Sequence, residues 1–181
     1  MKKGIIVTGL PASGKTTVAR ELATKLGFVF LDKDDFLEDL YDSRGVTSWE
    51  HRKTLSRESD LIFMSAARRQ GNVVLVSHWR PLGQSGESGT PTEWLSDTYD
   101  RLIEVTCLCP VETAIARFTK RARHPGHMDA QRDADELATR FAAWAKLFPI
   151  GLGIQIEVAT DRAVDMVSLS RRTRQALARS D

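Results

Sequence analysis

Three observations on this 181-residue chain predict a three-layer α/β/α fold around a parallel sheet. Short apolar runs rich in β-branched residues alternate with longer helical patterns, and the segments between the runs are long enough for crossover connections. The first run leads into Gly9-Leu10-Pro11-Ala12-Ser13-Gly14-Lys15-Thr16, a complete G-x-x-x-x-G-K-[ST] phosphate loop followed at once by a helix-forming stretch. The expected architecture is a single P-loop NTPase domain over residues 1–181, with a five-stranded parallel sheet and a helical lid at about 117–130. In such sheets, ligands gather at the C-terminal ends of the strands.

The elements follow in order. Residues 4–8 read as the first strand and residues 15–26 as the helix after the phosphate loop, stopped by Gly27. Glycines at both ends of the loop let the backbone turn around a polyphosphate. Successive N–H groups, from Gly9 through Thr17, and the helix N-terminus then face the anion. Lys15 adds a mobile positive charge, and Thr16 offers its hydroxyl to Mg²⁺. Residues 28–31 form the second strand and run directly into Asp32-Lys33-Asp34-Asp35-Phe36. If that segment is extended, Asp32 and Asp34 point the same way and Asp35 turns aside. One carboxylate then organises Mg²⁺ through water and the other orients an acceptor hydroxyl; alternatively the aspartates cap a helix starting near Phe36.

Residues 48–69 read as a helix carrying Arg52 and Arg57, which either bind an anionic acceptor or are solvated charges. Gly71 stops it, and 72–77 is the third strand. His78, Trp79 and Arg80 follow that strand and offer a hydrogen-bonding group, a flat apolar face and a cation to an acceptor; core packing is the other reading of Trp79. The segment 83–89 is glycine- and serine-rich, and Thr90-Pro91-Thr92-Glu93 looks like a capping box opening a helix over 91–99. Strand 102–108, helix 111–123 after Pro110, helix 130–147 before Pro149, strand 154–158 and helix 164–178 complete the chain. Positive charge concentrates at the end of the fourth of these helices, in Arg117-Phe118-Thr119-Lys120-Arg121-Ala122-Arg123-His124-Pro125-Gly126-His127. A solvated helix end would look like this, and so would a mobile lid whose Arg121 and Arg123 neutralise a transferring phosphoryl group. His124 and His127 hydrogen-bond phosphate or substrate in one reading and stiffen the turn in the other.

Composition narrows the function. There are 26 basic and 24 acidic residues, a formal net charge of +2, so no overall field draws the chain to nucleic acid or a membrane surface. The run after Lys2 and Lys3 is broken by Thr8, Gly9 and Pro11, and no run approaches the ~18 apolar residues of a membrane span. The expectation is a soluble, cytoplasmic monomer or homodimer with a small-molecule partner, without nucleic acid or membrane. Cys107 and Cys109 lie too close along one strand for a mutual disulfide and read as reduced thiols.

The phosphate loop, the Asp32-x-Asp34 pair and the basic lid resemble the small P-loop kinases related to nucleoside monophosphate kinases, a group that includes shikimate kinase, gluconate kinase, chloramphenicol phosphotransferase and the zeta-toxin kinases. That resemblance implies ATP and Mg²⁺, with Asp32 holding Mg²⁺ through water and Asp34 contacting the acceptor hydroxyl. It also implies that Arg117 packs on adenine and that Arg121 or Arg123 reaches phosphate. The stretch Ser77-His78-Trp79-Arg80-Pro81 departs from the glycine-rich segment of shikimate kinases, so the acceptor is expected to be sugar-, nucleoside- or antibiotic-like. A polynucleotide 5′-hydroxyl kinase and a nucleotide-dependent switch protein are the alternatives.

Overall fold

The computed structural model describes residues 1–84, 89–129 and 133–178. Strands β1 (Lys3–Gly9), β2 (Val29–Asp32), β3 (Asn72–Val76), β4 (Arg101–Leu108) and β5 (Ile154–Ala159) form one sheet in the order β2-β3-β1-β4-β5, and every neighbouring pair is parallel. The connections carry helices α1 (Lys15–Leu26), α2 (Lys33–Arg44), α3 (Trp49–Arg68), α4 (Glu93–Thr98), α5 (Val111–Lys120), α6 (Ala134–Ala145) and α7 (Met166–Ala178). Alternation along β1 divides the core. Ile5 and Val7 face Val18 and Leu22 of α1 and Leu169 of α7, whereas Ile6 faces Phe63 and Ala67 of α3 and Leu95 of α4. Both faces of the sheet are therefore covered, as the unbroken apolar runs require. No helix among the described residues is long and apolar enough to cross a membrane.

Each predicted strand and helix is present, the first helix with its predicted bounds and the others with shifted ends, and the helix of the alternative reading near Phe36 is α2, starting at Lys33. The segment from Lys33 onward is not extended: Asp32 closes β2 and caps α2, its side chain accepting from Asp34 N at 3.0 Å. Leu37, Leu40 and Tyr41 bury one narrow face of α2 against Leu55 of α3. At the lid, α5 ends at Lys120 rather than 123, because Arg121 takes extended backbone angles (φ −75°, ψ 139°). The capping box expected at Thr90 does not form, and α4 is preceded by Thr92 without a side-chain cap. α6 begins at Ala134, capped by Asp133, whose carboxylate accepts from the amides of Asp135 and Glu136. Residues 130–132, the expected lid end and helix start, and residues 85–88 of the glycine-rich segment lie outside the described residues.

One buried carboxylate fastens the back of this frame. Glu104 of β4 is fully buried. Its Oε1 accepts from Thr8 Oγ1 and Ile150 N, both at 2.8 Å, and its Oε2 from Gly151 N at 2.9 Å and Leu152 N at 3.1 Å. The loop entering β5 is thereby pinned beside the strand that feeds the phosphate loop. Glu104→Gln keeps the volume but turns an acceptor into a donor facing backbone N–H groups. The expected cost is roughly 3 kcal/mol of unfolding free energy, read as a lower urea midpoint at constant m-value. An unmoved midpoint would show that the loop does not depend on this carboxylate.

Candidate active site

The phosphate loop is shaped by backbone that few residues tolerate. Gly9 has φ 132°, and a Cβ there would lie 2.6 Å from the Cys107 carbonyl oxygen. Ala12 (φ 58°) and Gly14 (φ 92°) curl the following backbone, the geometry that turns successive N–H groups inward. Gly14 caps α1 with no side-chain hydrogen bond, which leaves the first amides of the helix for another acceptor. Pro11, Ala12, Gly14, Lys15, Thr16 and Thr17 line a cavity of about 980 Å³. Leu10 and Ser13, buried behind them, shape the loop instead, with Ser13 N donating to Leu10 O at 3.1 Å. Lys15 Nζ folds onto the loop, donating to Gly9 O at 2.9 Å and Leu10 O at 2.7 Å. Burial pulls its pKa down to about 8, against the charges of Cys107, Asp34 and Asp32.

Opposite the loop, Thr16 Oγ1 donates to Asp32 Oδ2 at 2.8 Å. Burial, reinforced by Asp34, pushes the Asp32 carboxyl up to about 6. Two hard oxygen donors side by side, one of them a carboxylate starved of solvent, fit Mg²⁺ in ligand type. Asp34 reaches the same cavity, but not by strand alternation: the capped first turn of α2 brings it there. Burial acts to raise its pKa, yet the charges of Arg123, His127 and Lys33 outweigh that and hold it below the usual carboxylate value. Asp35 is exposed, away from the cavity.

The lid lies across α2. Asp34, Glu38 and Asp42 recur every four residues on this helix, and each takes a lid side chain. Arg123 pairs with Asp34, His127 Nε2 lies 2.8 Å from Glu38 Oε1, and His124 Nε2 lies 3.0 Å from Asp42 Oδ1. The Tyr41 ring stacks on His124 with centroids 5.4 Å apart and meets His127 edge-on at 5.3 Å. Gly126 is what permits this approach, since a Cβ there would lie 2.4 Å from the Tyr41 ring. Asp129 gathers both lid arginines, at 3.2 Å from Arg123 and 3.8 Å from Arg121. The histidines thus fasten the lid to α2. Arg52 joins them, its Nε donating to His127 O at 3.2 Å. Burial and the Arg123 charge pull the His127 pKa below 6.5, with Asp34 and Glu38 pulling the other way.

The remaining sites divide. Arg117 stands outside the cavity lining, its Nη1 donating to Thr160 O at 2.8 Å and its Nη2 to Asp161 O at 3.3 Å. One face of α3 presents Trp49, Arg52, Lys53, Ser56 and Asp60 to the cavity. His78 lines it too, its ring 5.0 Å from that of Trp144. Trp79 does not: it is 1% exposed, sits in the core and donates Nε1–H to Val7 O at 3.1 Å, so its expected substrate contact is corrected to a core role. Arg80 and Arg57 are also absent from the lining, and Arg57 lies exposed on α3, beside the face that lines the cavity. Glu38, Tyr41, Asp42, Asp60, Thr90, Asp129 and Trp144 were not anticipated. The fourfold spacing of Asp34, Glu38 and Asp42 would have revealed the stripe on α2, but nothing local marks the others.

Comparison with known proteins places the chain. A family model described as an AAA domain matches residues 5–143. A cytidylate kinase from Ignicoccus hospitalis is 31% identical over 80 residues, 41% of this chain and 46% of that protein. The chain spans less than half the length of the curated relatives it matches. A candidate kinase of known structure from Chloroflexus aurantiacus is 25% identical, with TM-score 0.79 over 97% of this chain and 98% of that one. A shikimate kinase from Bacteroides thetaiotaomicron shares the fold at 18% identity, with TM-score 0.58 over 96% and 97% of the two chains.

Two outcomes follow from the lid geometry. Gly126→Ala should undock the lid by overpacking against Tyr41, at a cost of about 1–3 kcal/mol, and so speed tryptic cleavage after Arg121 and Arg123; unchanged cleavage would refute the contact. Because the folded pKa of His127 lies below 6.5, the released lid takes up the proton first as the pH falls. Docking should be complete above that value and weaken as the pH drops through it. Amide exchange at 124–128, corrected for intrinsic rates, should therefore quicken between about pH 7.5 and about pH 5.5. His127→Gln should flatten that dependence, and a flat profile in the parent would contradict the assignment.

Proposed function

This chain belongs to the AAA domain family, with the fold of the small P-loop kinases related to nucleoside monophosphate kinases, and from that premise we propose that it transfers the γ-phosphoryl group of ATP to a hydroxyl of a small sugar-, nucleoside- or antibiotic-like molecule. One observation carries the reading: Lys15, the Thr16–Asp32 pair, Asp34 and the lid arginines Arg121 and Arg123 all border a single cavity.

The loop amides and the α1 N-terminus bind the β and γ phosphates, and Lys15 turns from the Gly9 and Leu10 carbonyls onto them. Restored counter-charge then offsets the burial that depresses its pKa. Thr16, and water held by Asp32, would hold Mg²⁺, which when bound offsets phosphate charge. Arg117, its guanidinium edge already tied to the exit of β5, leaves its flat face for the base. Asp34 accepts the acceptor hydroxyl and, as the O–P bond to the acceptor forms and the bond to ADP breaks, takes its proton. For this Arg123 must move from Asp34 to the phosphoryl oxygens, where Arg121 already borders the cavity. That exchange couples lid closure to exposure of the base. The near-balanced net charge supports a small acceptor over a nucleic acid.

Lys15→Ala should weaken nucleotide binding by about tenfold or more, as loss of a charge-assisted contact does. Asp34→Asn should leave that binding within about twofold while lowering kcat on the order of a hundredfold or more. Titration calorimetry beside ADP release checks both; equal loss of nucleotide binding in the two variants would remove Asp34 from the chemistry.

A further inference from the structure

The cavity wall between α2 and α3 carries a buried ion pair that phosphoryl transfer leaves unused. Lys33, between the two aspartates of the Asp32-x-Asp34 pair, has a side chain 10% exposed, and Asp60 of α3 has one 14% exposed. Their closest approach is 3.7 Å, Nζ to Oδ1, beyond a hydrogen bond. Each is tethered elsewhere. Lys33 Nζ donates to Ser56 Oγ at 2.7 Å, and Asp60 Oδ1 accepts from Thr90 Oγ1 at 2.6 Å. Thr90 is itself held by Ser77 Oγ at 2.5 Å. Among the described residues the ammonium, which has three N–H groups, makes one hydrogen bond, and Asp60 Oδ2 accepts none. Both side chains line the 980 Å³ cavity, so this spare hydrogen-bonding capacity faces the space a ligand would enter.

We propose that Lys33 and Asp60 are specificity-determining residues that bind a second hydroxyl of a polyhydroxylated acceptor, next to the hydroxyl phosphorylated at Asp34. The proposal rests on the kinase reading above. A hydroxyl accepts from Nζ while donating to Oδ2, which answers both unused groups at once. At the pair itself an anion would gain Lys33 but face Asp60, and an amine the reverse, so this pair favours a neutral polar group, while Arg52 and Lys53 stand elsewhere along the same face of α3. Adjacency follows from the chain: Lys33 and Asp34 are consecutive, and each charge acts on the other. Trp49 and Trp144 border the same cavity with flat apolar rings, which suit the C–H face of a sugar or cyclitol ring.

The test is ADP release by the full chain with ATP and Mg²⁺ against sugars, cyclitols, nucleosides, aminoglycosides and single-hydroxyl alcohols. The best acceptor is then compared with its single-deoxy analogues on the parent, Lys33→Met and Asp60→Asn. In the parent, loss of one hydroxyl beside the phosphorylated one should lower kcat/KM on the order of a hundredfold or more. In either variant the same deletion should cost at most about threefold, because the lost partner no longer distinguishes the analogues, while the KM for ATP stays unchanged. The double variant Lys33→Met/Asp60→Asn removes both charges together and serves if a single change leaves an unpaired charge that unfolds the chain. Losses that simply multiply, or a best acceptor with a single hydroxyl, would overturn the proposal and leave the kinase reading standing. Tight ATP binding with no ADP formed on any acceptor would overturn both.

Discussion

The site depends on the carboxylate of Asp32. Its Oδ2 accepts from Thr16 at the head of α1, and its Oδ1 accepts from the Asp34 amide at the head of α2. One buried group thus couples the phosphate-loop helix to the helix that carries the proposed base. The same cap sets the turn that sends Lys33 inward to Ser56 and Asp34 to the cavity. Because Asp32 closes β2, at the edge of the sheet beside β3, this corner is built where strand C-terminal ends open onto ligand.

From that corner α2 runs under the lid, and its charge pattern explains why the lid rests there. Carboxylates every four residues make a single acidic stripe, and residues 123–127 answer with the Arg123 charge and with two imidazoles set at hydrogen-bonding distance from Glu38 and Asp42. The contact is not only electrostatic: Tyr41 fills the space between the two imidazoles, and Gly126 allows the close approach. In this arrangement Arg123 occupies the proposed base. In the proposed transfer, Arg123 exchanges this carboxylate for the phosphoryl oxygens.

The acceptor half is organised differently. Here α3 and the residues after β3 meet in a chain of short hydrogen bonds, Lys33 to Ser56 and Asp60 to Thr90 to Ser77, with aromatic side chains at the margins. Lys33 and Asp60 face each other within this wall, with Arg52 and Lys53 adding positive charge along the same face of α3, and across the cavity Lys15, Arg121 and Arg123 meet Asp32, Asp34 and Asp129.

Much of the fold was legible in the chain because β-branched runs, glycine stops and a specified phosphate loop are local signals. Lys15 and Thr16 could be picked out from the loop motif alone, since a loop flanked by a strand and a helix constrains its own geometry, whereas the division of roles between Asp32 and Asp34 came from the family resemblance. α2 was legible only as the alternative reading of the aspartate segment, because its apolar face is narrow and its charged residues belong to the contact with residues 123–127, which spacing along the helix recorded but did not explain. Trp79 shows the opposite limit: the residue after a strand could face substrate or core, and only packing against Phe63 and the Val7 carbonyl decided for the core. By itself the sequence determined the order of the strands, the phosphate-loop motif and the carboxylates after β2, all written within short windows. Which distant side chains meet, Arg123 with Asp34, His127 with Glu38, Lys33 with Asp60, was decided only by the tertiary structure, because those partners are brought together by helix docking rather than by spacing along the chain.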